Sequence, residues 1–174
     1  MPCDKSALFD VLDVLNEDLT KNIILIAAGG TAMTLLDLKS STLDIDFTLP
    51  SSDFAEFERV LKNNPPGYKV DKWPDGYIFC QSLPDDYIEK SIKIKELSHI
   101  SLRALHPTDI IASKIGRLNS RDINDIESCI RKCNLSKEEI KTRALLVAPT
   151  YVGSEENYLY NMNWVLENFF KNTI

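Results

Sequence analysis

Two short segments carry residue types whose spacing suits phosphate chemistry. The first is Ala28-Gly29-Gly30-Thr31; twelve residues further on stands Asp44-Ile45-Asp46-Phe47. Side chains alternate along an extended strand. Leu43, Ile45, Phe47 and Leu49 are therefore expected on one face, and Asp44, Asp46 and Thr48 on the other. The Cα atoms of Asp44 and Asp46 would lie about 6.6 Å apart. Carboxylates this close oppose each other's ionisation, and a bound divalent cation relieves the repulsion. Their hard oxygens suit Mg2+, with Mn2+ as a substitute, and leave coordination positions for water and substrate phosphates. Gly29 and Gly30 let backbone approach a ligand closely, and the helix start that follows offers free N–H groups to a phosphate, with the Thr31 hydroxyl adding one bond. A phosphate cradle facing a metal-binding pair is equipment for phosphoryl or nucleotidyl transfer. Taken singly, the Gly-Gly pair reads equally as a turn and Asp-x-Asp as a solvated strand face.

A second cluster lies at Lys114, Arg117 and Arg121, followed by Asp122 and Asp125. Spacings of i, i+3 and i+7 put the three cations on one face of a continuous helix, where they could grip a triphosphate or an acceptor phosphate. The bland alternative is a surface helix carrying Arg–Asp pairs.

These segments need elements to hold them. The periodicity predicts a helix over 6–19 with Ser6 as its cap, a buried strand over 22–28, a helix from about 32, and a strand over 43–49. A helix through Lys62 opens at Ser51-Ser52-Asp53. Short strands are expected at 68–73, 77–81, 91–97 and 100–105, with Trp73, Tyr77 and Phe79 forming a hairpin about Pro74-Asp75-Gly76; their rings read as core packing, with stacking on a base as the alternative. From Pro107 the chain reads as helical: 107–118, an interruption at Asn119-Ser120, 120–133, a third helix opened by the Ser136/Glu139 capping box, and 154–171. Residues 1–106 are thus expected to form an α/β core and 107–174 a helical part packed on it, together one α+β unit.

Composition narrows the classes. A length of 174 residues with 44% apolar and 26% charged residues is that of one ordinary domain with a core. The longest apolar run, Ile23 to Ala28, is too short to cross a bilayer, and the N-terminus carries no signal-peptide pattern. Four cysteines without a CxxC pair argue against a structural zinc or disulfide scaffold and for a reducing cytoplasm. A net charge of −6 does not advertise nonspecific nucleic-acid binding. Lys90, Lys93 and Lys95 make a small basic strip suited to an RNA backbone or to strand-edge protection. His106 reads as a helix-entry residue and His99 as a solvated one. The aromatic residues near the C-terminus, Tyr158 to Phe170, read as core.

Together the two clusters resemble the DNA polymerase β-like nucleotidyltransferase superfamily, whose signature is an hG[GS] turn followed by Dh[DE]h. Thr31 stands here in place of the commoner Ser. Residues 104–126, with Lys114, Arg121, Asp122 and Asp125, are similar to the helical signature of minimal nucleotidyltransferases of the AbiEii-like toxin and DUF6036-type group. The resemblance implies a polymerase-β-like core of mixed sheet flanked by helices and Mg2+-dependent transfer of an NMP from an NTP to RNA such as tRNA, or to protein. In that scheme Asp44 and Asp46 hold the metal. Gly29, Gly30, Thr31, Lys114, Arg117 and Arg121 hold the nucleotide, and Asp122 or Asp125 orients Lys114 or the acceptor, or acts as base. A toxin role with a cognate antitoxin follows by the same resemblance; a catalytically silent nucleotide- or partner-binding module, or a phosphohydrolase using the same acids, are the alternatives. The family's third carboxylate has two candidates, Asp71 and Glu96.

Overall fold

The structure, a computed structural model, describes residues 1–171. In chain order it runs β1 (Cys3–Asp4), α1 (Lys5–Asp18), β2 (Ile23–Ala27), α2 (Gly29–Leu35), β3 (Ser41–Thr42), β4 (Ile45–Leu49) and α3 (Ser51–Asn63). There follow β5 (Val70–Pro74), β6 (Tyr77–Ile78), β7 (Gln81–Ser82), α4 (Tyr87–Lys90), β8 (Ile92–Glu96) and β9 (Ile100–Ala104). The remainder is helical: α5 (Pro107–Ile115), α6 (Ser120–Cys133), α7 (Lys137–Val147), a 3-10 turn at Ala148–Thr150, and α8 (Glu155–Phe169).

Five strands form one mixed sheet in the order β5-β4-β2-β9-β8. β2 pairs parallel with β9 and antiparallel with β4, and β4 pairs parallel with β5. The central strand β2, with neighbours on both sides, reads IILIA. A continuous apolar run is what a strand covered on both faces requires. Its Leu25, Ile26 and Ala27 are fully buried together with Ile45, Phe47 and Leu49 of β4. The expected α+β architecture, a mixed sheet followed by a helical C-terminal part, is the one observed.

Local details depart from the expected pattern for identifiable reasons. Asp4, not Ser6, caps α1, its carboxylate accepting from the Ala7 amide at 2.9 Å, because the helix begins one residue earlier. Pro50 stands at the N-cap of α3, so the Ser51–Asp53 segment lies inside the helix. Leu43 lies outside β4 and is 60% exposed, so the alternation starts at Ile45. Trp73 and Tyr77 do not form a hairpin. β6 pairs with β7 instead, through a turn in which Phe79 takes the left-handed conformation at φ 54°. The Ser136/Glu139 capping box forms as read, and His106 caps α5 by accepting from the Thr108 amide. His99 is half-buried rather than solvated, its ring 3.1 Å from the Asn22 side-chain oxygen. The basic strip is divided: Lys90 belongs to α4, while Lys95 sits over the Phe9 ring beyond a bulge in the edge strand β8.

Candidate active site

The glycine turn sits where β2 hands over to α2. The Ala28 amide donates to the Asp46 carbonyl at 2.9 Å, which fixes the turn beside β4. Gly29 has φ +50°, and a Cβ there would stand 3.1 Å from Asp46 Oδ2 and 3.1 Å from Phe79 Cζ. A Cβ on Gly30 would come within 2.7 Å of Thr42 Oγ1. Both positions therefore need glycine, one for its backbone conformation and both for space. Thr31 has a different task from the one expected. It is fully buried, donates to the Asp44 carbonyl at 3.3 Å and accepts from the Asp46 amide at 2.9 Å. Its hydroxyl braces the backbone that carries the acid pair and does not face the cleft.

Asp44, Asp46, Gly29 and Gly30 border one cleft of about 580 Å³. Asp46 lies on β4; Asp44 sits in the bend just before it, exposed. Asp71 on β5 is the register partner of Asp46 and borders the same cleft. Glu96, the other candidate third acid, lies on β8 at the opposite edge of the sheet and accepts from the Ser101 hydroxyl. Burial pushes the Asp46 carboxyl up to about 7. Asp71 and Asp44 add to the rise, and Lys114 and Lys69 partly offset it. Among the described residues no ion pair engages Asp44 or Asp46, whereas Asp71 pairs with Lys69. Nor do three His, Cys, Asp or Glu side chains of the described residues form a ready-made metal cage. The donor set fits a hard cation that draws its remaining ligands from water and phosphate: two carboxylates, one of them held against ionisation chiefly by burial.

The opposite wall comes from the helical part, and here the expected continuous face is broken. α5 ends at Ile115, Leu118 takes φ +43°, and Asn119 opens α6 with a capping box to Asp122. Lys114, Arg117 and Arg121 thus come from a helix, a link and a second helix, yet all three border the cleft. A Cβ on Gly116 would run into the Tyr151 ring, so the link is also fixed from outside. Lys114 is buried and donates to Asp125 at 2.8 Å and to Asp122 at 3.3 Å. Arg117 binds Asp122 through Nε at 3.2 Å and Nη2 at 2.9 Å, with its guanidinium over the Phe79 ring at 5.2 Å. Lys39, from the segment after α2, reaches Asp125 at 3.1 Å. Burial pushes the Asp125 carboxyl up, but the bonds and charges of Lys114 and Lys39 outweigh it and hold it below the usual carboxylate range. Arg121 is exposed and has no ion-pair partner among the described residues.

Sequence reasoning missed two cations that border this cleft, Lys39 and Lys69; Trp73 and Phe79, read from the sequence as core with base stacking as the alternative, border it too. Lys69 was within reach, because it stands two residues before Asp71 and an extended chain puts both on one side. Lys39 carries no local signal, since its partner Asp125 is 86 positions away. A larger groove runs along α3 and β5, from Ala55 to Lys72, and contains none of the cleft's acids.

A mixed five-stranded sheet that carries an acid pair beside a glycine turn, closed by a helical part, is the polymerase-β-like nucleotidyltransferase architecture. Two solved structures share it. The antibiotic-resistance factor ANT(2'')-Ia in solution superposes with a TM-score of 0.58 at 13% identity, over 81% of this chain and 89% of that one. ANT(2'')-Ia in complex with adenylyl-2''-tobramycin gives 0.57 at 13% identity, over 81% and 94%. No curated protein matches the chain. The chain belongs to the DUF6036 family, nucleotidyltransferases of unknown function, whose profile matches residues 6–173.

Proposed function

We propose that this chain transfers a nucleoside monophosphate from an NTP to a hydroxyl on an RNA such as tRNA, or on a protein, with Mg2+ as cofactor. One observation carries the reading: an acid pair free of ion pairs among the described residues and a glycine turn open onto the same cleft, with Asp46 Oδ2 3.1 Å from where a side chain at Gly29 would begin. Asp44 and Asp46 would hold the cation, which when bound neutralises triphosphate charge and aligns the reacting groups. Gly29 and Gly30 admit the β and γ phosphates close to backbone, Arg121 meets them with an unpaired charge, and Lys114 adds a buried one. Asp122 and Asp125 orient Lys114, since both already accept its protons. Asp71, next to Asp46 across the strand pair, takes the proton of the acceptor hydroxyl. The acceptor oxygen bonds to the α-phosphorus as the bond to pyrophosphate breaks.

The resemblance of the Lys114, Arg121, Asp122 and Asp125 pattern to the AbiEii-like signature is what supports a toxin role with a cognate antitoxin. The test is incubation with labelled NTPs, Mg2+ and either total RNA, total protein or an aminoglycoside such as tobramycin. Label is expected on RNA or protein with the wild type and on neither with Asp46→Ala. Equal labelling by both would remove the role of Asp46, and label on tobramycin alone would move the acceptor to small molecules. One observation favours a second reading, a catalytically silent binding module: Lys39, Lys114 and Arg117 are already held by Asp122 and Asp125. That reading predicts calorimetric binding of an NTP with Mg2+ and no transferred label.

A further inference from the structure

Three planar groups adjoin at the rim of the cleft. The rings of Trp73 and Phe79 have centroids 4.9 Å apart at 58°, and the Arg117 guanidinium lies over the Phe79 ring at 5.2 Å. Phe79 is held there at a conformational cost, in the left-handed region that bulky residues avoid. Backbone of this kind persists where the surrounding structure fixes it, and here it is the turn between β6 and β7 that presents the ring to Gly29. Both ring residues are half-buried, whereas the Arg117 side chain is 47% exposed. The inner members are covered and the outer one is open.

Arg117 is unusual among the cleft cations. Asp122 takes two of its donors through both carboxylate oxygens, which fixes the orientation of the guanidinium. A guanidinium that is oriented on one edge and backed by a ring is well suited to stack on a flat ring. Arg121, without an ion-pair partner among the described residues, is a cation free for phosphate. Resting on the reading of the cleft as an NTP site, we propose that Arg117 is the platform for the donor's base: the nucleobase stacks on its open side and extends the series Trp73–Phe79–Arg117 by one member. Overlap grows with ring area, so purine triphosphates bind more tightly than pyrimidine ones.

The test compares two ligands, ATP and inorganic tripolyphosphate, each with Mg2+, by calorimetry on the full chain. Arg117→Lys keeps the charge and removes the plane. It is expected to weaken ATP about tenfold, a loss in the range of one base-stacking contact, and to leave tripolyphosphate unchanged. Arg121→Gln should weaken both ligands alike. Phe79→Leu, which removes the backing ring without touching Arg117, should weaken ATP by a smaller factor and spare tripolyphosphate. Equal ATP affinity in wild type and Arg117→Lys overturns the platform, as does a parallel loss of both ligands or equal affinity for ATP and UTP. A wild type that binds neither ligand overturns the nucleotidyltransferase reading itself. One that binds tripolyphosphate no less tightly than ATP overturns the platform alone.

Discussion

Asp46 shows how much one position can decide. Burial and the neighbouring Asp71 and Asp44 raise its carboxyl to about 7 from an ordinary value of 3.8. The folded chain therefore holds a proton that the unfolded chain has released, and the metal-free fold loses stability as pH climbs from about 4 to about 7. Asp46→Asn removes that dependence. In the presence of a chelator the variant should melt at nearly the wild-type temperature at pH 4 and several degrees higher at pH 8. Mg2+ should raise the melting temperature of the wild type at pH 8 and leave the variant almost unmoved. Equal pH profiles for the two proteins would show that Asp46 is not the strained acid described. The acid pair and the glycines were legible because strand alternation and the need for a side-chain-free turn are local. The duty of Thr31 was not, since a hydroxyl beside a cradle and a hydroxyl tying two strands together look alike in one dimension.

Elements bring these residues together, and the decisive one is α5. Its Asp109 is fully buried and shares two hydrogen bonds with the equally buried Arg143 of α7, which also reaches Asp86 at 2.6 Å. Asp109→Ala leaves the buried guanidinium with the exposed Asp86 as its remaining carboxylate partner and should cost about 3 kcal/mol in denaturant unfolding. The double change Asp109→Leu with Arg143→Met should recover most of that loss, because apolar groups of similar volume need no partner. Failure to recover would mean the pair does more than satisfy itself. Gly30→Ala tests the other end of the site. Its Cβ would press on Thr42 Oγ1 at 2.7 Å, displacing the segment that leads to Asp44, so transfer should fall at least tenfold with little change in fold. The strands and the Ser136 box could be read from periodicity and capping chemistry. The break between α5 and α6 was visible as Asn119-Ser120, but its effect on which side chains meet depends on Tyr151, packed from 35 residues downstream against Gly116.

Across the whole molecule, contacts distant in sequence join the sheet part to the helices. Lys39 reaches Asp125, the Ser128 hydroxyl donates to the Leu38 carbonyl at 2.9 Å, and Lys132 donates to the carbonyls of Asp37 and Leu38. We expect residues 1–106 and 107–174 to unfold in one transition, with calorimetric and van't Hoff enthalpies equal. Two resolved transitions would divide them. No helix of the described residues is long and apolar enough to cross a membrane. The fold class was legible from the order of strands and helices. The composition of the cleft was legible only in part: Lys69 and Arg117 lie near their partners Asp71 and Asp122 in sequence, whereas Lys39 meets Asp125 across 86 positions that no local pattern spans.

Those ion pairs have a consequence for how anything enters. Lys39, Lys114 and Arg117 already hold carboxylates, so an incoming anion that draws on any of them takes it from an acid of the chain itself, whereas Arg121 meets the anion without that exchange. Entry is then an exchange of partners in which Asp122 and Asp125 act as tethered competitors, always present at the site. Such an arrangement keeps stray phosphate out and favours a guest that brings positive charge of its own.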